Sequence, residues 1–79
     1  MVDKKELIEQ CGGMDVVHCT LTSGDSFDIG TADYWIGGSE GRFMCDFLGN
    51  VEYSTLESVV NALFAYLNKE GLEIEETDF

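Results

Sequence analysis

Bases are scarce in this chain: four Lys and Arg stand against 16 Asp and Glu, a formal net charge of −12 over 79 residues. That shortage disfavours direct binding of DNA or RNA, because phosphate contacts are made with Lys and Arg. The same charge repels anionic membranes and draws in basic surfaces. There is one histidine, His18, so no second imidazole is present to complete a zinc site with Cys19 and Cys45. The three cysteines, Cys11, Cys19 and Cys45, are an odd number without a CxxC pair. They are expected as reduced thiols in the cytoplasm, packed as small hydrophobes. No apolar run approaches the ~18–20 residues of a membrane span. The opening residues, MVDKKELIEQ, lack the apolar segment of a signal peptide.

What is present is enough to fold. Hydrophobic residues make up 44% of the chain and aromatic residues 11%, more than a disordered chain carries. The length allows a single domain, residues 1–79, near the size where one core only just suffices. The best-marked element is residues 54–71, STLESVVNALFAYLNKEG. Leu56, Val59, Val60, Leu63, Phe64 and Leu67 recur at i, i+3, i+4, i+7, i+8 and i+11, the stripe of one helix face. Ser54 is expected as N-cap with Glu57 as its capping-box partner, and Gly71 as the left-handed stop.

Ahead of this helix the pattern changes from period 3.6 to period 2. Asp3 with Glu6 opens a short helix that runs to about Cys11 and ends at Gly12-Gly13. Residues 15–22, DVVHCTLT, form a strand with Val17, Cys19 and Leu21 on one face and Val16, His18, Thr20 and Thr22 on the other. Ser23-Gly24-Asp25 turns the chain into a second strand carrying Phe27 and Ile29 inward and Asp28 outward. Residues 30–32 are expected to break or bulge that strand, which resumes over 33–36. After the glycine-rich turn 37–41, residues 42–48 form a third strand, with Phe43, Cys45 and Phe47 opposed to Met44, Asp46 and Leu48. Residues 51–53 extend it or add to it. The last residues, LEIEETDF, read as an edge strand or an ordered tail.

The expected fold is α+β, in the order α-β-β-β-α. An antiparallel meander of three strands, or four with the C-terminal segment, packs against one long helix. That helix covers one face of the sheet. The other face is left partly open, presenting Val16, His18, Thr20, Asp28, Met44, Asp46 and Leu48, while Trp35 goes to the core or beside this face.

Chemical motifs are absent. Residues 37–41, GGSEG, match a nucleophile elbow as a string, but the motif needs a strand-turn-helix in a parallel sheet and a histidine after the serine. Asp25, Asp28 and Asp33 lack calcium-loop spacing, since Phe27, Ile29 and Ile36 occupy ligand positions. His18 and Cys19 point to opposite faces of a strand and cannot pair. No catalytic, cofactor or metal residue is expected. The acids remain. Side chains at i and i+2 of a strand recur every ~6.7 Å, close to two phosphate steps of ~3.4 Å along DNA. Glu73 with Glu75, and Asp28 with Asp46, are the pairs expected to form such a row.

In size, acidity and compact α+β pattern the chain resembles the small phage-encoded inhibitors known as anti-CRISPR proteins. It is similar also to other nucleic-acid-mimicking inhibitors and to nuclease immunity proteins. The likeness is one of profile over the whole chain, so no residue role transfers by position. It implies inhibition by occluding a basic site on a nuclease or a nucleic-acid-guided complex, in the host cytoplasm if the protein is phage-encoded. The expectation is a non-enzymatic binding protein whose partner surface is basic. Asp28, Asp46, Glu40 and Glu52 give steering and register, and Tyr34 and Trp35 are the anchors. The alternatives are a self-associating module that dimerises through the apolar residues of the open face and a small acid–base enzyme.

Overall fold

In the computed structural model, which describes residues 2–78, the elements follow the order α1 (Lys4–Gly13), β1 (Val16–Leu21), β2 (Ser26–Thr31), β3 (Phe43–Cys45), α2 (Leu56–Glu70) and β4 (Ile74–Asp78). The strands form one antiparallel sheet in the order β3-β2-β1-β4. The meander is therefore as expected, and the C-terminal segment is its fourth strand, an edge beside β1.

Both helices lie on one face of this sheet. Leu7 and Cys11 from α1, and Val59, Val60, Leu63 and Leu67 from α2, join Val17, Cys19, Leu21, Phe27, Ile29, Cys45 and Ile74 in a single core. Leu56 and Phe64, at the margins of the α2 stripe, are half-buried against it. An aromatic chain closes one end, with ring centroids 4.6 Å apart for Phe27–Phe47 and 5.5 Å for Phe47–Tyr66.

The caps were partly legible. Asp3 caps α1, its carboxylate accepting the Glu6 amide N–H at 2.8 Å. For α2 the cap is Thr55, one residue beyond Ser54, and its hydroxyl accepts the Ser58 N–H at 3.1 Å. Ser54 and Glu57 therefore do not form the expected box. At the far end Gly71 has φ 69°, the left-handed stop, and the Leu72 N–H donates to the Leu67 carbonyl at 2.8 Å.

The turn and ladder details differ from the local pattern. The hairpin turn sits one residue earlier than Ser23-Gly24-Asp25: Leu21 N–H donates to the Asp25 carbonyl, and Gly24 takes φ 97° at the tip. Gly30 lies inside a regular β2, paired with Val16 and Met44, and the expected break comes at the end of residues 30–32, where the strand gives way to a 3-10 helix at Ala32. Its lack of a side chain is required because a Cβ there would stand 2.1 Å from the Asp15 carbonyl oxygen. The ladder is instead irregular between β1 and β4, where Leu21 faces Ile74 but Thr20 faces Glu76, leaving Glu75 as the extra residue.

Extended structure also stops sooner than its alternation implied. After Thr31 the chain turns into a 3-10 helix over Ala32–Tyr34, and residues 33–36 form no strand. After Cys45 it turns into another over Asp46–Leu48. Residues 51–53 contribute a single bridge, Tyr53 to Phe43. These two 3-10 turns carry Tyr34 and Asp46 to the same side of the sheet.

Candidate functional site

The face of the sheet away from the helices is where the chain's uncommon side chains meet. Alternation puts His18 and Thr20 on that face of β1, Ser26 and Asp28 on β2, and Glu76 and Asp78 on β4. The hairpin register places His18 directly across from Asp28 and, on its other flank, across from Asp78. His18 Nδ1–H donates to Asp28 Oδ1 at 2.7 Å, since a carboxylate can only accept.

Asp28 is shared further. Its Oδ2 accepts the Tyr34 hydroxyl at 3.3 Å, and its own backbone N–H donates to Asp46 Oδ2 at 2.7 Å. The other Asp46 oxygen accepts the Trp35 indole N–H at 3.0 Å. The Tyr34 and Trp35 rings meet edge to face, 5.0 Å between centroids and 82° between planes. His18, Asp28, Tyr34, Asp46 and Trp35 thus form one connected network. The phenol of Tyr34 is held above its ordinary value of 10.0, chiefly by the charge of Asp28, then by desolvation, its hydrogen bond to Asp28 and the charge of Asp46. It remains a donor at neutral pH.

Of the residues the sequence nominated, Asp28, Tyr34, Trp35 and Asp46 come together here. Trp35 is half-buried and lies outside the core, against Asp46. Glu40 belongs to the loop between β2 and β3, and Glu52 to the connection between β3 and α2. Glu52 ties that connection to the β2–β3 loop: its carboxylate accepts the Ser39 N–H at 3.1 Å and lies 3.4 Å from Arg42 Nε. Glu40 is exposed.

The apolar part of the expected open face is mostly missing. Met44 is 6% exposed and lies across from Gly30. Leu48 packs against the core and Val16 is half-buried. The exposed apolar residues of this region are instead Tyr34, 58% exposed, and Ile36, which is fully exposed. Of the expected acid pairs, Asp28 and Asp46 do lie side by side. On β4 the register places Glu76 and Asp78 on this face, across from Thr20 and His18, and Glu75 is the extra residue at the irregularity.

Sequence reasoning missed Ile36, Glu76 and Asp78 as members of this surface, and it placed His18 there without pairing it to Asp28. For His18 the signal was present, because it and Asp28 were both outward residues of one hairpin; only the register was needed.

Charge on this face is one-sided. Lys4 and Lys5 lie on α1 and Lys69 near the end of α2, across the sheet, while Arg42 is held by Glu52. Asp28, Asp46, Glu76 and Asp78 have His18 as their only basic neighbour on the strands. The helices also bear acids, among them Glu6, Glu9, Glu57 and Glu70, but interspersed with those lysines.

Other chemistry finds little support in the geometry. Cys11, Cys19 and Cys45 are free thiols on the core side, and burial raises them from 9.0 to about 11, 12 and 12. Among the described residues, no three His, Cys, Asp or Glu side chains are grouped to hold a metal ion, and no helix is long and apolar enough to cross a membrane. Cavities of about 250 and 290 Å³ lie elsewhere, the first between the start of α1, the end of α2 and the start of β4, the second between the ends of α1 and β2. Neither is lined by the His18–Asp28 network. No family model, curated protein or solved structure matches the chain.

Proposed function

We propose that this is a non-enzymatic binding protein that presses its helix-free sheet face onto a basic protein surface and so blocks it. The partner class is a nucleic-acid-binding protein, such as a nuclease or a CRISPR-type effector complex, and the protein acts as its inhibitor in the cytoplasm. The observation that carries the reading is the segregation of charge: Asp28, Asp46, Glu76 and Asp78 line a face on which neither Lys nor Arg sits. Glu76 and Asp78 sit at i and i+2 on one strand, which spaces them about 6.7 Å apart, near a two-phosphate step of DNA. The free cysteines support a reducing compartment.

The heterologous reading is favoured over a homodimer. Met44 and Leu48, the apolar residues a symmetric contact would have used, are withdrawn from the face, and two acidic faces repel at close range. Acid–base catalysis is disfavoured by position. His18 and Asp28 form a base and its orienting partner, yet they stand on an open pleat without a cavity to exclude water.

Tagged protein retained on beads in host lysate tests this at low and high salt. Basic nucleic-acid-binding partners are expected at low salt, weakened by salt and lost from a Glu76→Lys/Asp78→Lys variant. Recovery of only neutral or acidic partners, indifferent to both changes, would overturn the proposal.

A further inference from the structure

The network on the open face does more than collect negative charge. It fixes an aromatic surface beside that charge. Trp35 is anchored through its indole N–H to Asp46, Tyr34 through its hydroxyl to Asp28, and the backbone between them is tied by Trp35 N–H to the Ala32 carbonyl and Gly38 N–H to the Trp35 carbonyl, each at 3.0 Å. Gly38 itself is locked in: a Cβ there would stand 1.7 Å from the Ala32 carbonyl oxygen. Tyr34 is nevertheless 58% exposed, and Ile36 projects wholly into solvent beside it. Monomeric surfaces seldom hold an aromatic ring and an aliphatic side chain rigidly outward without use for them. Because Tyr34 and Trp35 cross at 82°, they do not stack on each other, so a face of the Tyr34 ring is left uncovered.

We propose that Tyr34 is a seat for an arginine side chain of the partner, its guanidinium lying on the exposed ring between Asp28 and the neighbouring carboxylates and its methylene stem running along Ile36. Two features select arginine over lysine. The guanidinium is planar and weakly hydrated, so it stacks on an aromatic face at less cost than an ammonium does. Asp28 and Asp46 already accept hydrogen bonds from His18, Tyr34, Trp35 and a backbone amide, so their orientation is set before a ligand arrives. A fork of several N–H donors meets fixed oxygens better than a point charge does. Ile36 offers an apolar contact to the aliphatic stem of a basic side chain. This inference rests on the proposed docking of a basic surface on this face and adds to it the side chain that docks.

Hexa-arginine and hexa-lysine peptides serve as probes, because the chain has a single tryptophan, Trp35, inside the site. Binding is read from its fluorescence and its indole N–H resonance at low salt. Hexa-arginine is expected to bind wild type about two- to five-fold more tightly than hexa-lysine, the range of an exposed cation–aromatic contact. Tyr34→Phe, which keeps the ring, should retain that preference; Tyr34→Leu should bind both peptides equally and with a folded amide spectrum. Equal binding of the two peptides by wild type, or a preference that survives in Tyr34→Leu, overturns the arginine seat while leaving the acidic docking face intact. Failure of both peptides to perturb Trp35 at any salt concentration overturns the docking face as well.

Discussion

Asp46→Asn separates what this carboxylate does by charge from what it does by geometry. The chain carries −12, so deleting a negative charge at a passive position relieves repulsion and leaves stability unchanged or slightly raised. Asp46 is not passive. Its two oxygens each take a different N–H, from Trp35 at 3.0 Å and from Asp28 at 2.7 Å. An asparagine has one oxygen and one NH2 group, so it can satisfy one donor and must turn its own N–H groups toward the other. A hydrogen bond to a charged group contributes about 1.5–3 kcal/mol when shielded. Asp46 is exposed, and water competes for the released N–H, so the expected loss is about 1 kcal/mol. For a domain of this size that lowers the midpoint of thermal unfolding by about 4–8 °C. Glu40→Gln, an equal charge change at an exposed loop position, is the control and should stay within about 0.5 kcal/mol of wild type. Urea unfolding followed by circular dichroism measures both, and the indole N–H resonance of Trp35 reports which donor was released. If Asp46→Asn matches Glu40→Gln in stability and leaves the indole resonance in place, the network has no energetic content and the reasoning fails.

The other expectations concern single interactions. Thr55→Ala should cost about 1 kcal/mol through loss of the α2 cap, whereas Ser54→Ala should cost almost nothing, as urea midpoints would show. The three thiols, raised to about 11, 12 and 12 by burial, should resist a thiol-reactive disulfide at pH 8 in the native protein and react at once in denaturant. Because their folded values exceed 9.0, the associated stability is complete below pH 9 and is lost as pH rises toward 12, which alkaline unfolding curves would detect. The Tyr34 phenol should ionise above its ordinary value, and Asp28→Asn should bring it down, read by ultraviolet absorbance as the difference from Tyr34→Phe. Here too the contribution is complete below pH 10 and is lost as the pH climbs through the folded value.

How much of this was legible in the sequence depended on the range of the signal. The α2 stripe, the inward sets of β1 and β2 and the Gly71 stop are local patterns, and they held. Periodicity failed where turn chemistry overrode it. Phe43 to Leu48 alternates as a strand would, yet the backbone leaves the sheet after Cys45, so Asp46 reaches across to the Asp28 amide and Trp35 instead of simply facing outward. Met44 was misplaced because alternation gives the side of the strand and not what covers it: Met44 lies opposite Gly30 yet is 6% exposed. Glu76 and Asp78 were missed because a one-residue irregularity decides which β4 acids share the face, and nothing local in EIEETD marks it. The site itself is an outcome of register: His18 with Asp28 follows from a hairpin turn that was read one residue late.

The central claim is that the uncovered sheet face, and not acidity in general, receives a cationic partner. Two charge-reversed proteins of identical net charge test it: Glu76→Lys/Asp78→Lys on the open face and Glu57→Lys/Glu70→Lys on exposed positions of α2. Titrated with hexa-lysine at low salt, the first should lose most of the wild-type affinity and the second should keep most of it. Equal losses in the two proteins would mean that the partner responds only to overall charge, and the docking face would have to be abandoned.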